Sequence, residues 1–169
     1  MRPSLDKIAG ELMLICAIVF AIALATILAA HAFEILGGYA PCPICLQERY
    51  AYYFAVPAAV LAFFAARAES ITLARVVLVL VALAFLVNAA LGVYHAGIEW
   101  KWWSGPVTCS GGTEIGWGAG GLTKELENAR VVSCDDAMWR LLGLSFAGWN
   151  AVLSAVLAGL AAWGATLRR

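Results

Sequence analysis

The residues best suited to chemistry in this chain are two pairs of cysteines that lie outside its longest apolar stretches. Cys42 and Cys45 enclose a Pro-Ile dipeptide, and Cys109 and Cys134 flank a long polar loop. Cysteine thiolates attack disulfides and pass electron pairs onward through mixed disulfides. The sequence therefore indicates thiol–disulfide exchange as the first chemistry to consider.

The spacing of the first pair suits the beginning of a helix. Cysteines separated by two residues come within bonding distance when a helix starts there, and the helix N-terminus stabilises a thiolate. Pro43 fits the first helical turn, where its fixed φ stiffens the backbone. Arg49 follows Cys45 by four residues. Its guanidinium is expected one turn below the sulfur, able to stabilise a thiolate or to donate to an oxygen-bearing cofactor.

Less specific interpretations of these residues stay open at this level. The first pair can be an inert structural disulfide, and Arg49 can be an anchor at the membrane interface. A zinc site is weakly supported and no metal is expected, because Cys109 and Cys134 are far apart in sequence and have no histidine clustered beside them. Cys16, inside an apolar stretch, is expected to behave as a small hydrophobe.

The elements that must hold the paired cysteines are membrane helices. The 169 residues are 63% hydrophobic and 13% charged, with zero formal net charge, which argues against an ordinary soluble domain and against nucleic-acid binding. Four stretches are long enough to cross a bilayer, which takes roughly 20 helical residues. They cover about 12–33, 46–66, 73–94 and 142–166. We expect one all-α membrane domain over residues 1–169, built as a four-transmembrane-helix bundle.

An even number of spans places both cysteine-bearing loops, about 34–45 and 95–141, on the same side of the membrane. The first span is too long for a signal-peptide core and is interpreted as retained. Basic residues cluster in the short segments on the other side, which the positive-inside rule assigns to the cytoplasm together with both termini: Arg2, Lys7, Arg67, Arg75, Arg168 and Arg169. The cysteines then face the exterior or periplasm, where disulfides persist.

The second loop adds a histidine and a glycine-rich stretch. His95 ends the third span at about the depth of Cys45, where an imidazole can bind a ligand, move a proton or serve as a plain interfacial residue. The glycine density after Cys109 would let that cysteine move, or marks only a slack linker. A short amphipathic helix is predicted before Cys134 from apolar residues at helical spacing: Leu122, Leu126, Ala129 and Val132.

Taken in order, these segments resemble the DsbB family, quinone-dependent thiol oxidoreductases of the bacterial inner membrane. A lone Cys-x-x-Cys would not be specific, but the resemblance covers nearly the whole chain. It rests on Cys42-Pro43-Ile44-Cys45-Leu46-Gln47-Glu48-Arg49, on Tyr94-His95-Ala96-Gly97-Ile98-Glu99, on Cys109 and Cys134-Asp135, and on Leu142-Gly143-Leu144-Ser145-Phe146.

The resemblance implies an enzyme that sustains disulfide bond formation. The pair Cys109–Cys134 would take electrons from a periplasmic DsbA-like protein of thioredoxin fold. The pair Cys42–Cys45 would reoxidise Cys109–Cys134. Cys45 would then pass the electrons to a membrane quinone, ubiquinone or menaquinone. The resemblance also implies that Arg49 binds the quinone ring and that His95 lines the same pocket. Glu48 is expected to support Arg49 or the local fold.

Other functions are weighed against this one. A vitamin K epoxide reductase-like enzyme also couples thiols to quinone, but it carries its Cys-x-x-Cys late in the chain. A scaffold or small transporter stapled by two stable disulfides is a further alternative, although the spans offer few polar residues beyond Asn88 and Asn150. A periplasmic reductase would need thiols on both membrane faces, and only Cys16 lies near mid-membrane.

Overall fold

The fold is a bundle of four long helices. A computed structural model describes residues 3–106, 134–135, 137 and 139–167. Within these residues, the helices are α1 (Pro3–Ile35), α2 (Pro43–Arg67), α3 (Ile71–Glu99) and α4 (Phe146–Thr166). Each is long and apolar enough to cross a membrane. The chain is therefore an all-α, multi-pass membrane protein, as the sequence predicted.

The helix ends differ from the predicted spans where the cysteine loops begin and end. α2 starts at Pro43 and α3 continues to Glu99, so His95 belongs to a helical turn. α4 starts later than predicted, because residues 140–145 form a short antiparallel hairpin of β1 (Arg140–Leu141) and β2 (Leu144–Ser145). At the Cys42 end of the bundle α1, α2 and α3 are therefore longer than predicted, whereas α4 is shorter.

The hairpin turns at Leu142 and Gly143, whose φ angles are 53° and 84°. Two successive positive φ angles match the twist of a two-residue hairpin turn, and glycine adopts them without strain. Ser145 then caps α4, because its Oγ accepts a hydrogen bond of 3.2 Å from the backbone N–H of Gly148. The same hydroxyl donates to the carboxylate of Glu99, which fastens the start of α4 to the end of α3.

Small residues let the helices approach one another closely. α2 faces the interior with alanines along its length, including Ala55, Ala59, Ala62 and Ala66. α3 packs most extensively against α4, and a Cβ on Gly92 would lie 2.9 Å from the backbone nitrogen of Ala151. Close backbone approach at small residues is the usual basis of helix association in lipid. Large apolar side chains cover the outer surface of the bundle.

A cluster of neutral polar residues, here called the mid-bundle cluster, ties three helices together inside the apolar core. Its members are Tyr52, Asn88, Asn150 and Ser154. Tyr52 donates to Oδ1 of Asn150 at 2.8 Å. The amide of Asn88 donates to Oδ1 of Asn150 at 3.1 Å and to Oγ of Ser154 at 2.9 Å. Such bonds hold membrane helices in register.

Two predictions fall on parts of the second loop that lie outside the described residues. They are the position of Cys109 and the amphipathic helix expected from Leu122 to Val132. Both stay predictions.

Candidate functional site

Cys42 and Cys45 lie at the N-terminus of α2, where the sequence placed them. Cys42 is the N-cap residue with φ −73° and ψ 165°, and Pro43 occupies the first helical turn. Sγ of Cys42 accepts a hydrogen bond of 3.1 Å from the backbone N–H of Cys45. Both cysteines are in the thiol form. The N-terminus of α2 therefore stabilises negative charge on the sulfur of Cys42, in the position where a side-chain oxygen usually caps a helix.

His95 links Cys42 to a buried carboxyl group. Its Nε2 lies 3.6 Å from Sγ of Cys42, and its Nδ1 lies 3.1 Å from Oε1 of Glu48. Cys42 and His95 are each 2% exposed and Glu48 is 6% exposed. Because Glu48 fixes one ring nitrogen, the other is held facing the sulfur. The three side chains form a chain of contacts from Cys42 at the start of α2, through His95 near the end of α3, to Glu48 on α2. It is here called the Cys42–His95–Glu48 relay.

The surroundings of Cys42, just outside the membrane-spanning part of α2, favour its thiolate. A hydrogen bond from the side chain of Cys45 is the largest cause, and it outweighs the opposing effect of burial. The hydrogen bond and the charge of His95 act in the same direction. Together they lower the pKa of the Cys42 thiol from 9.0 to about 5. Cys42 is therefore suited to act as a nucleophile or as a leaving group.

Cys134 lies beside this pair. It belongs to the same buried cluster as Cys42, Ile44 and Ile98, and Cys45 packs against that cluster. Cys134 is disulfide-bonded. The structure thus brings one cysteine of the second loop against the first pair. The disulfide partner expected for it, Cys109, is outside the described part of the chain, so that pairing stays a prediction.

A surface ion pair holds the Cys134 segment against the end of α3. Nζ of Lys101 donates to the backbone oxygen of Asp135 at 2.9 Å and to its Oδ2 at 2.8 Å. The hydrogen bond from Lys101, reinforced by its charge, holds the pKa of the Asp135 carboxyl below its usual range. Lys101 has a φ of 61°, which turns the chain back over the helix end. The ion pair therefore acts as a tether for Cys134.

Arg49 lies on α2 one turn after Cys45, and its guanidinium contacts a residue of α1. Nη1 of Arg49 lies 2.5 Å from Oε2 of Glu34, and the Arg49 side chain is 11% exposed. Nδ1 of His31 lies 3.7 Å from the same carboxylate oxygen, while Nε2 of His31 lies 2.8 Å from the hydroxyl of Tyr53. Arg49 is thus oriented by Glu34 of α1, at the end of the bundle that carries Cys42.

The order of these features along the chain is that of a known family. The family model described as Disulfide bond formation protein DsbB matches residues 13–164, which include most of α1 and α4, all of α2 and α3, and both cysteine pairs. The chain belongs to the DsbB family. No curated protein and no solved structure gives a match. Membership makes this membrane protein an oxidoreductase of disulfide bond formation.

The DsbB-family structure brings together some of the residues that the sequence singled out. The sulfurs of Cys42 and Cys45 and a ring nitrogen of His95 lie within 4.8 Å of one another, and Cys134 adjoins them. Among the described contacts, the partner of Arg49 is Glu34. The shared pocket expected for Arg49 and His95 is therefore a proposal that these contacts leave untested.

Sequence reasoning did not identify what two acidic side chains of this DsbB-family site contact. Glu48 was expected to support Arg49 or the local fold, yet its contact is with His95 on another helix. Glu34 was not considered, although it lies at the end of an apolar span, where an acidic residue is unusual. That exception was the only signal in the sequence for Glu34, and none identified which basic residue it contacts.

Proposed function

We propose that this chain reoxidises the dithiol of a DsbA-like, thioredoxin-fold protein and transfers the electrons to a membrane quinone. The observation that carries the proposal is the shared cluster of Cys42 and Cys134. Disulfide exchange requires one sulfur to reach another, and here the two loops meet at those sulfurs. Electrons entering at the second loop would therefore reach the start of α2 without a large movement.

The proposed exchange balances over two cysteine pairs. The partner's dithiol reduces a Cys109–Cys134 disulfide and leaves as a disulfide. The Cys134 thiolate then attacks Sγ of Cys42 in an oxidised Cys42–Cys45 pair, forming a Cys134–Cys42 mixed disulfide and freeing the Cys45 thiolate. Attack by Cys109 on Cys134 re-forms the loop disulfide and leaves Cys42 and Cys45 reduced. Their two electrons and two protons remain to be removed.

The relay supplies proton handling for these steps. A carboxylate of Glu48 would hold the proton of His95 on Nδ1, so that Nε2 is free to accept the Cys42 thiol proton. The resulting imidazolium, 3.6 Å from Sγ, stabilises the Cys42 thiolate when it is displaced as a leaving group. His95 would thus act on the sulfur chemistry, and its expected contact with quinone is a separate part of the proposal.

The residues around Arg49 fit a quinone. A quinone carbonyl needs a hydrogen-bond donor and lateral access from the bilayer, and a bound quinone supplies the two-electron, two-proton sink. Arg49 offers donors, one turn from Cys45. Leu46, Tyr50 and Tyr53 on the same helix are 44%, 66% and 46% exposed, giving an apolar approach from lipid. Arg49 would hold the quinone beside Cys45, and His95 is proposed to line the same pocket.

The proposed location is the bacterial inner membrane, with both termini in the cytoplasm and both cysteine loops in the periplasm. The support is the excess of arginine and lysine in the short segments on the terminal side. An oxidising periplasm also suits the disulfide at Cys134. The partner and the substrate disulfides would then share one compartment with the site.

The test is quinone reduction by the purified chain in detergent, supplied with a reduced DsbA-type protein and ubiquinone or menaquinone. Wild type should turn over. Cys109→Ala should block electron transfer from the partner. Cys45→Ala should oxidise the partner for one turnover at most and should form no quinol. Cys16→Ala is the matched control, because Cys16 is buried in the apolar core far along α1. A wild-type chain that leaves both dithiol and quinone unchanged would instead support a scaffold stapled by disulfides.

A further inference from the structure

Three potential metal donors converge where the two thiols meet α3. Sγ of Cys42, Sγ of Cys45 and a ring nitrogen of His95 lie within 4.8 Å of one another. We propose that the reduced Cys42–Cys45 pair and His95 form a binding site for a thiophilic divalent cation such as Zn²⁺. The inference does not depend on the partner or the quinone, because it concerns only the dithiol state of this chain.

The distances fit a tetrahedral cation. Zinc binds thiolate sulfur at about 2.3 Å and imidazole nitrogen at about 2.0 Å, which sets the S···N edge of a tetrahedron at about 3.5 Å. Sγ of Cys42 and Nε2 of His95 are 3.6 Å apart. The third donor, Sγ of Cys45, lies within 4.8 Å of both other atoms. Two sulfurs and one nitrogen leave a fourth position for water or an external ligand.

Glu48 completes a second layer around the site. Histidines that bind metal almost always donate the other ring N–H to a carboxylate, a backbone carbonyl or water, which fixes the ring and strengthens the donor. Nδ1 of His95 lies 3.1 Å from Oε1 of Glu48, and both side chains are buried. This arrangement leaves Nε2, rather than Nδ1, to face the sulfurs. The orientation that the relay gives to His95 is therefore also the orientation that a cation needs.

The charges and the burial also suit a divalent cation. Two thiolates neutralise its charge, so a neutral complex would replace separate buried charges among Ile44 and Ile98. Cys45 is only partly buried and provides the access route. Oxidation to a Cys42–Cys45 disulfide removes both sulfur donors. Cation binding and disulfide formation are thus mutually exclusive, and the cation should block reoxidation of the dithiol.

The experiment uses Co²⁺ as the probe, because thiolate ligands give it intense charge-transfer absorption. The full chain carrying Cys109→Ser and Cys134→Ser, which leaves the first pair as the reactive thiols outside the core, is reduced and freed of reductant without oxygen. Titration should give one Co²⁺ per chain with thiolate charge-transfer bands, and Zn²⁺ should displace it. After oxidation of Cys42 and Cys45 to the disulfide, those bands should be absent.

Variants assign the nitrogen donor. His95→Gln should weaken Co²⁺ binding more than Glu48→Gln, for which a loss of about 10- to 100-fold is expected for a residue that only orients the ligand. His31→Gln is the matched control, since His31 is the other of the two histidines in the chain, and it should change nothing. Circular dichroism checks that each variant remains folded. Equal binding by His95→Gln and wild type, or binding by the oxidised chain, overturns the proposal.

Failure of the proposed cation site is distinguishable from failure of the proposed oxidase function. Metal titration contains no partner protein and no quinone, whereas turnover contains no added metal. A chain that reduces quinone but gives no thiolate–Co²⁺ bands refutes the cation site alone. A chain that binds Co²⁺ through His95 but does not turn over refutes the oxidase function alone. Where both hold, Zn²⁺ should slow turnover of wild type in proportion to occupancy of the reduced site.

Discussion

Two polar clusters inside the same bundle use different side chains. The mid-bundle cluster joins α2, α3 and α4 through hydroxyl and amide groups that stay neutral. The relay at the loop end joins α2 and α3 through a thiol, an imidazole and a carboxyl group, all of which can exchange protons. The first cluster can hold helices in place without a change of charge. The second can change charge, as thiol chemistry requires.

The two clusters are stacked on the same helix faces. Glu48 and Tyr52 are one turn apart on α2, and Asn88 and His95 are two turns apart on α3. Gly92 lies between the latter two, where an added Cβ would be 2.9 Å from the backbone nitrogen of Ala151 on α4. Neutral hydrogen bonds deep in the bundle therefore add to the apolar packing that holds α2 and α3 in the rotation at which Glu48, His95 and Cys42 meet. Substitutions in the mid-bundle cluster should therefore affect mainly stability, and substitutions in the relay should affect mainly turnover.

The largest expected effect comes from breaking the relay at its centre. His95→Gln keeps a polar side chain but removes the group that exchanges a proton with Cys42, so turnover with a DsbA-type dithiol should fall by about 100-fold or more. The rate of quinone reduction is the measurement. His31→Gln changes the other histidine, which contacts Glu34 and Tyr53 rather than Cys42, and should lower turnover much less than His95→Gln. An unchanged rate in His95→Gln would mean that the contact with Cys42 serves packing alone.

The second expected effect is a displaced pH profile for Cys42. Its pKa is lowered to about 5, so the thiolate should persist as the pH falls and disappear only near pH 5. Alkylation of the reduced chain, with modified Cys42 identified by mass spectrometry, should show a midpoint there rather than near 9.

The same profile distinguishes the causes of that displacement. Cys45→Ala removes the hydrogen bond that contributes most, and His95→Gln removes the next favourable contact, so each should move the midpoint upward. Asn88→Ala should leave the midpoint in place, because it is a change to the neutral cluster. A wild-type midpoint near 9 would show that the thiolate is not stabilised.

A smaller effect is expected from the mid-bundle cluster, and it should appear in stability rather than in chemistry. Asn88→Ala removes two hydrogen bonds between helices, each worth about 0.6 kcal/mol on average inside a membrane bundle. The free energy of unfolding in mixed micelles should therefore fall by about 1 kcal/mol. Turnover measured well below the unfolding transition should stay within about twofold of wild type. A large loss of turnover without loss of stability would assign Asn88 to the chemistry.

The contrast between the clusters also explains what the sequence could predict. Long apolar runs identified four spans, and proline beside Cys42 identified the start of α2, because both signals are local. The contact of His95 with Glu48 depends on how two helices are rotated against each other, which one sequence does not specify. The hairpin before α4 was missed because its leucines continue the apolar pattern of the span, although Gly143 was a turn signal.

The smallest expected effect comes from the tether outside the bundle. Lys101→Ala removes the ion pair that holds Asp135, next to Cys134, against the end of α3. Both side chains are about half exposed, and exposed ion pairs contribute little. Exchange between the two cysteine pairs should slow by less than about fivefold. The measurement is the rate at which the Cys42–Cys45 pair is reduced after mixing with a reduced DsbA-type protein.

Salt should reproduce the effect of Lys101→Ala if the ion pair determines the exchange rate, whereas mild acid should not. Salt screens exposed charges, so raising it should slow wild type towards Lys101→Ala and leave the variant unchanged. The pKa of Asp135 is lowered by Lys101, so the tether is complete above the ordinary aspartate pKa and is lost only as the pH falls through the lowered value. Acidification to pH 5 should therefore not release it. A greater than tenfold loss in Lys101→Ala would show that Cys134 depends on this contact far more than an exposed ion pair allows.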